Sequence, residues 1–335
     1  MKVLFIGGTG VISSACSALC LEHGIDLYLL NRKQKESDLL SKANILQADI
    51  RDTESVKSAV SGKTFDVIVD WIAYTPEHII TDYELFKDIT SQFVFISSAS
   101  AYQKPPSHLP IKETEPLDNP YWEYSRNKID CESKLMELYH LHNFPITIVR
   151  PSHTYDKTKI PLHGGYTVLH RMMKGKKIIV HGDGTSLWTL THHKDFAKGF
   201  ISVLGNKETI GQAYHLTSDE ALTWNQICEY LYGALGIDPN IIHIPSDYIA
   251  RFDKEWGEGL LGDKAHSMIF DNSKIKKLNP SFKASIPFRE GAKEIVSWYL
   301  GDEKNKLIDH PKDKLMDNII TTYEASYLKW WEKKK

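Results

Sequence analysis

Short unbroken apolar runs alternate with helix-length segments through residues 1–150. The runs are Val3–Ile6, Leu27–Leu30, Ile45–Leu46, Val67–Ile72, Phe93–Ile96 and Ile146–Val149. A strand with one wet face alternates apolar and polar positions. These runs do not, which suits strands buried on both faces of a parallel sheet. Between the first two runs, Val11–His23 has helical length and is followed by Gly24, a natural residue for the left-handed turn after a helix. Strands alternating with helices predict right-handed crossovers, and so an α/β fold with a Rossmann-type doubly wound parallel sheet.

Beyond Asp156 the texture changes. Turn signals multiply at Pro161, His163-Gly164-Gly165 and Gly182-Asp183-Gly184, and helical patterns at Trp224–Leu235 and Pro287–Leu300 lie among loops. We expect a Rossmann domain at 1–155 with a return segment at about 187–216. Residues 156–186 and 217–335 would form a smaller C-terminal α+β domain over the carboxyl ends of the strands, where open α/β sheets bind ligands. The tail Thr322–Lys335 reads as an amphipathic helix that docks Tyr327, Trp330 and Trp331 and leaves Lys333–Lys335 in water.

Composition narrows the function classes. The 335 residues carry 41 Lys+Arg against 43 Asp+Glu, a net charge of −2, and 41% are hydrophobic. That is a globular composition without the basic excess of a protein built to neutralise phosphate backbones, so nucleic acid is not the expected partner. Cys16, Cys20, Cys131 and Cys228 form no CxxC pair and read as buried fillers in a reducing compartment. The opening MKVLFIGG is too short an apolar run for a signal peptide. No stretch reaches the roughly 20 apolar residues of a membrane span. The expectation is a cytoplasmic protein with no membrane partner.

The first candidate chemistry follows the first strand. Gly7-Gly8-Thr9-Gly10-Val11-Ile12-Ser13 has the spacing G-x-x-G-x-x-S and opens a helix. Glycines let the backbone turn tightly and approach a pyrophosphate, which rests on the helix N-terminus. Gly7, Thr9, Gly10, Val11 and Ile12 are therefore candidate dinucleotide contacts. The second strand ends in Asn31-Arg32-Lys33, where a site preferring NAD places Asp or Glu for the ribose 2′-hydroxyl. Asn31 and Arg32 instead suit a 2′-phosphate, so NADP(H) is favoured over NAD(H). Asp49 and Ile50 follow the third strand, either to meet the adenine or as plain loop residues.

Tyr124 and Lys128 stand four apart at the start of a helical run, hence on one face. An ammonium there stabilises a phenolate and makes Tyr124 an acid/base nearer neutral pH. The strand Phe93–Ile96 ends in Ser97-Ser98-Ala99-Ser100-Ala101-Tyr102, which lifts hydroxyls to the carboxyl edge of the sheet. A serine there can hold a substrate oxygen as charge develops on it.

These elements in this order resemble the extended branch of the short-chain dehydrogenase/reductase superfamily, the NAD-dependent epimerase/dehydratase family. The resemblance is carried by Gly7–Ile12, Ala48-Asp49-Ile50-Arg51-Asp52, Ser97–Tyr102, Tyr124-x-x-x-Lys128 and Arg150-Pro151-Ser152-His153-Thr154-Tyr155, and continues at Gly182-Asp183-Gly184 and Asp195-Phe196-Ala197. It implies that Tyr124 is the catalytic acid/base, that Lys128 binds the nicotinamide ribose and lowers the tyrosine pKa, and that Ser98 bonds the reacting oxygen. Ser100, His153 and Trp188 are the candidate substrate contacts. The family's diphosphate-binding residues are altered: His153 stands where Asn is usual, and Ser186-Leu187-Trp188-Thr189 lacks the usual arginine, leaving Arg171 or Lys264 to substitute. Ala99-Ser100 replaces the Asp-Glu pair of sugar 4,6-dehydratases, which argues against that reaction.

His153, His163, His192 and His193 match no usual metal spacing, and no metal is expected. The leading expectation is an epimerase on a sugar or nucleotide sugar, working through a keto intermediate. The alternatives are an NADP(H)-dependent reductase or dehydrogenase of a smaller substrate, and a non-catalytic RNA-binding relative on the same fold. The residues give no oligomeric state; by analogy of fold, a homodimer would form through helices flanking the sheet.

Overall fold

The computed structural model describes residues 1–32 and 42–332. Lys33, the docking expected of Tyr327, Trp330 and Trp331, and the exposure expected of Lys333–Lys335 lie outside what is described. The first half runs β1 (Lys2–Ile6), α1 (Val11–Glu22), β2 (Asp26–Asn31), β3 (Asn44–Gln47), α2 (Thr53–Val60), β4 (Val67–Asp70), α3 (Pro76–Phe86), β5 (Phe93–Ile96), α4 (Glu123–His142) and β6 (Ile146–Pro151). The chain continues through β7 (His153–Tyr155), α5 (Tyr166–Met173), β8 (Ile178–His181), β9 (Leu187–Trp188), β10 (Leu190–His192), α6 (His193–Ile201) and β11 (Gln212–Leu216). It ends with β12 (Leu222–Thr223), α7 (Trp224–Leu235), β13 (Ile241–Ile244), α8 (Ser246–Ala250), α9 (Lys254–Gly259), α10 (Ser273–Leu278), α11 (Phe288–Gly301) and α12 (His310–Glu332).

The main sheet is parallel, in the order β11-β6-β5-β4-β1-β2-β3. This is the Rossmann-type sheet that the apolar runs predict. β1, β4 and β5 are shielded on both sides, which explains their continuous apolar sequence. One layer under the sheet packs Val3, Phe5, Cys16, Cys20 and Leu29 against Phe196 and Phe200 of α6. The opposite layer packs Leu4, Ile6, Ile68 and Phe95 against Cys131 and Leu135 of α4. All four cysteines are free and buried. Gly8 is the reason α1 can lie so close: a Cβ there would meet Leu29 Cδ2 at 2.5 Å.

A third core gathers Trp188, Leu190, Trp224, Leu231 and Trp256 with α11 and Met316 of α12. Small two-stranded pairings, β8 with β13 and β9 with β12, stiffen this region. Leu187–Trp188 belongs with that core, whereas α6 and β11 return to the main sheet. Arg171 fixes α12 by an ion pair to Asp313 at 2.5 Å and to Asp317 at 2.8 Å, and donates to the Lys177 carbonyl.

One boundary differs from the apolar pattern in a way that matters. The run Val67–Ile72 is a strand only to Asp70, whose Oδ1 accepts the N–H groups of Ile72 and Ala73. That local bond competes with the sheet ladder and turns the chain out of the strand. Trp71, Ile72 and Tyr74 thereby reach the cleft above the strands.

Candidate active site

The cleft begins at the glycine loop. Gly7 has φ +84°, and a Cβ on it would meet Ile72 Cγ2 at 2.6 Å, so the position is steeply biased to glycine. Ser13 is 1% exposed and does more than take little room. Its Oγ accepts the Gly10 N–H at 2.7 Å and donates to the Gly7 carbonyl at 3.0 Å, tying both ends of the loop to the first turn of α1. Gly10, Val11, Ile12 and Ser13 face a cavity of about 620 Å³, onto which the first-turn N–H groups of α1 open. The loop and the volume fit a dinucleotide end together with a small substrate.

The carboxyl ends of β4 and β5 and one face of α4 line the same cavity. α4 starts at Glu123, one turn earlier than the Lys128–His142 pattern alone shows, so Tyr124 and Lys128 share its N-terminal face. Lys128 is 2% exposed and donates to the carbonyls of Ala73 at 2.7 Å and Ile96 at 2.8 Å. Burial lowers its pKa to about 8, against the opposing pull of Cys131, Asp70 and Glu132. Its Nζ lies 5.9 Å from the Tyr124 ring centre.

The expectation that Lys128 brings the Tyr124 phenol toward neutrality is not met in this state. Burial pushes that phenol up, with Tyr74 adding to the rise and the Ser98 hydroxyl opposing it as a hydrogen-bonding neighbour. The Lys128 ammonium is aimed at two main-chain carbonyls, and the groups that act on the phenol besides burial are Tyr74, Ser98, Asp263 and Cys131.

Ser98 caps the short turn Ala99–Ala101, and its Oγ lies 2.9 Å from Ser100 Oγ. Ser100 is buried and also accepts from Ser125 Oγ at 2.8 Å. It therefore holds Ser98 and α4 in place as well as lining the cavity. Beneath them Glu132 receives Arg150 through three contacts, the closest at 2.5 Å, and Ser97 Oγ donates to Glu132 at 2.5 Å. Arg150 also reaches the Tyr102 hydroxyl, closing a buried network from α4 across β5 to β6.

His153 and Trp188 both line the cavity, with the indole N–H donating to His153 Nδ1 at 3.2 Å. Burial and then the charges of Lys264 and Lys159 hold His153 well below the ordinary imidazole range. A second cavity of about 240 Å³ shares Trp122, His153, Lys159 and Lys264 with the first. Of the two cations weighed as phosphate ligands, Arg171 is ruled out: it is 1% exposed and consumed by Asp313, Asp317 and Lys177. Lys264 stands at the junction of the cavities, near the rings of Trp122 and Trp188.

Other expected contacts lie apart from these walls. Thr9, Asn31, Arg32, Asp49 and Ile50 do not line the larger cavity. Thr9 N–H bonds the Gly7 carbonyl, Asp49 Oδ1 accepts the Arg51 N–H, and Ile50 is 3% exposed. Asn31 ends β2, and Arg32 just beyond it is exposed. The four histidines do not gather at one point: His192 packs on His193 and meets Glu294, and His163 stacks on Trp256. Among the described residues no group of His, Cys, Asp and Glu could hold a metal ion. No helix among them is long and apolar enough to cross a membrane.

Sequence reasoning missed Asp263. It lies with Lys264 on a π-helical turn, Leu260–Lys264, stitched to the Ser100 turn by Asn119, which donates to the Ser100 and Gly262 carbonyls. Burial raises the Asp263 carboxyl, opposed by Lys104 and Lys264. No local pattern announces an acid brought to the cleft by Asn119 and Lys104, more than a hundred residues earlier in the chain.

Comparison with known proteins adds an independent finding. The family model for the NAD dependent epimerase/dehydratase family matches residues 3–216. The chloroplast stem-loop binding protein of 41 kDa b of Arabidopsis thaliana is 26% identical over 257 residues, 72% of this chain and 65% of that protein's length. A putative UDP-glucose 4-epimerase of Methanocaldococcus jannaschii is 23% identical over 318 residues, 88% of this chain and 97% of that one. The structure of UDP-glucose 4-epimerase from Bifidobacterium longum, in complex with NAD+ and UDP, superposes with a TM-score of 0.72 at 18% identity, covering 92% of this chain and 100% of that chain.

Proposed function

Because the chain belongs to the NAD dependent epimerase/dehydratase family, we propose that it is an NAD(P)-dependent epimerase acting on a sugar or nucleotide sugar. One observation carries the reading: Ser98, Tyr124 and Lys128 face the same cavity as the glycine loop Gly7–Ser13. The activity named for the Methanocaldococcus relative and the NAD+ and UDP of the Bifidobacterium structure support it.

In this reading the glycine loop and the N-terminus of α1 hold the pyrophosphate, and Lys128 holds the nicotinamide ribose. When bound, the dinucleotide supplies a hydride acceptor that later returns the hydride. Tyr124 Oη exchanges the proton of the substrate hydroxyl, and Ser98 Oγ donates to that oxygen while its carbon becomes a ketone. With a dinucleotide bound, the ketone would turn over in the cavity and take its proton back from Tyr124 Oη as hydride returned to its other face, leaving no net redox change. Lys264 and Lys159 take the place of the absent arginine toward an anionic substituent, beside the aromatic walls of Trp122 and Trp188. No carboxylate stands at Ala99 or Ser100, so the 4,6-elimination reaction is not proposed. Arg32 at the end of β2 favours a 2′-phosphate and hence NADP(H).

A second reading, a net reductase or dehydrogenase of a smaller substrate, is favoured by one observation: Arg171, the arginine weighed as a phosphate ligand, is spent on α12. Incubation with UDP-glucose and each dinucleotide separates the two. Appearance of a sugar epimer with no accumulated reduced dinucleotide supports the epimerase; stoichiometric dinucleotide conversion supports the second reading. The stem-loop binding named for the Arabidopsis relative finds no support in a net charge of −2.

A further inference from the structure

The loop between β4 and α3 joins the two sides of the dinucleotide seat, and it hangs on two buried acids. Ile72 on this loop faces Gly7, and the Ala73 carbonyl accepts Lys128 Nζ. The N–H groups of both residues are bound by Asp70 Oδ1, at 2.5 and 2.8 Å. Asp70 and Asp82 of α3 are each 0% exposed. Among the described residues, Asp70 Oδ2 and both oxygens of Asp82 receive no donor. Asp70 is the acidic neighbour of Asp82, acting on it both through its charge and as a hydrogen-bonding side chain.

Two bare carboxylates cannot both remain charged there. Each bare charge is costly to hold out of water, and each raises the cost of the other. One proton between them removes a charge and supplies the missing donor. Asp70 already receives two N–H groups and Asp82 none, so the proton belongs on Asp82. We propose that Asp82 is a carboxylic acid that donates its hydrogen to Asp70, and that this shared proton positions the Ile72–Ala73 turn and through it Lys128.

The surroundings are consistent with that placement. Arg51 donates to the Ile72 carbonyl at 3.3 Å and lies 3.0 Å from His78 Nδ1, holding the outer side of the loop. Tyr74 N–H bonds the same His78 nitrogen at 3.1 Å. Arg51 and Asp70 are the charges that act on Asp82. His78, in turn, is acted on by Arg51, Asp70, Glu77 and Lys128. Burial, then Asp70, pushes the Asp82 carboxyl well up, in the direction of the protonated form. Asp82 touches no reacting atom; it is a positioning residue. That role rests on the dinucleotide reading of Lys128 given above, whereas the shared proton does not.

The test uses the full chain, Asp82→Asn and Asp82→Leu. Asparagine donates to Asp70 at any pH; leucine fills the space and cannot donate. Infrared spectroscopy at neutral pH is expected to show a protonated-carboxyl stretch in the wild type that Asp82→Asn lacks. Identical spectra would overturn the shared proton. Titration with NADPH and NADH is expected to leave Asp82→Asn within about threefold of wild type and to weaken Asp82→Leu about tenfold or more. Wild-type affinity in Asp82→Leu would overturn the positioning role.

If Asp82→Leu does not fold, denaturant unfolding of wild type and Asp82→Asn decides. The native acid keeps a proton that the unfolded chain releases, so wild-type stability is expected to fall relative to Asp82→Asn between about pH 5 and pH 8. Parallel curves would overturn the proposal. A wild type that binds neither dinucleotide would remove the functional reading and the positioning role with it. The infrared band and the unfolding curves would still decide the shared proton.

Discussion

Lys128 Nζ donates to the carbonyl of Ala73, 55 residues earlier in the chain, at 2.7 Å. With the bond to Ile96 O at 2.8 Å, this anchors α4 to the ends of β4 and β5 and holds the ammonium between the glycine loop and the Tyr124 ring. The lysine is thus a structural tie and a cavity charge at once, which gives its titration two readable consequences.

The first is a pH dependence. The native pKa of Lys128, about 8, lies below its ordinary 10.5 because the group is buried. Between those values the unfolded chain keeps the proton and the native chain has lost it. Its contribution to stability therefore rises as pH increases from about 8 to 10.5, at up to about 1.4 kcal/mol per pH unit. If Lys128 holds the dinucleotide as proposed, affinity is expected to run the other way and fall as pH rises through about 8, because the ammonium is lost. Fluorescence titration of NADPH across that range should show the fall, and Lys128→Met should flatten it.

Tyr124→Phe removes only the phenol oxygen from a half-buried ring. Turnover is expected to drop by about 10²-fold or more, the scale of a positioned acid/base, while dinucleotide affinity changes little. Steady-state rates with a parallel binding titration check this. Unchanged turnover would take Tyr124 out of the mechanism.

Arg32→Ala tests the dinucleotide preference. NADPH is expected to weaken by about tenfold or more and NADH hardly at all, since only the former carries a 2′-phosphate for the guanidinium. Isothermal titration of both measures it, and equal losses would dismiss Arg32 as the reader of that group.

Arg171 and Lys264 should separate stability from binding. Arg171→Ala leaves Asp313 and Asp317 facing Lys176 alone and is expected to cost about 2–3 kcal/mol in denaturant unfolding, with KM unchanged. Lys264→Ala is expected to leave unfolding within about 1 kcal/mol and to raise KM for an anionic substrate. The reverse pattern would return the phosphate-binding role to Arg171.

Much of the fold was legible because its signal is local. Runs such as Val67–Val69 and Phe93–Ile96 are apolar at every position, which only a sheet covered on both sides explains. Gly7–Ser13 and Tyr124–Lys128 were legible for the same reason, since each motif sits within a single turn of chain. What escaped was built from distant pieces. Asp263 reaches the cleft through a π-helical turn held by Asn119, and Arg171 is withdrawn from it by two aspartates on α12. The early end of β4 was hidden because Trp71 and Ile72 continue the apolar run, while the Asp70 side chain turns the backbone. Charge types could be read from the chain, but which cations were already spent could not.

The central claim is that the glycine loop, Lys128 and Tyr124 form one dinucleotide seat in an enzyme that returns the hydride it borrows. The most direct measurement is to denature freshly purified protein and assay the released small molecules by mass spectrometry. The account predicts near-stoichiometric NADP(H) or NAD(H), because an epimerase has no need to exchange its cofactor between turnovers. A protein that releases none, and that binds neither dinucleotide when they are added back, would contradict it.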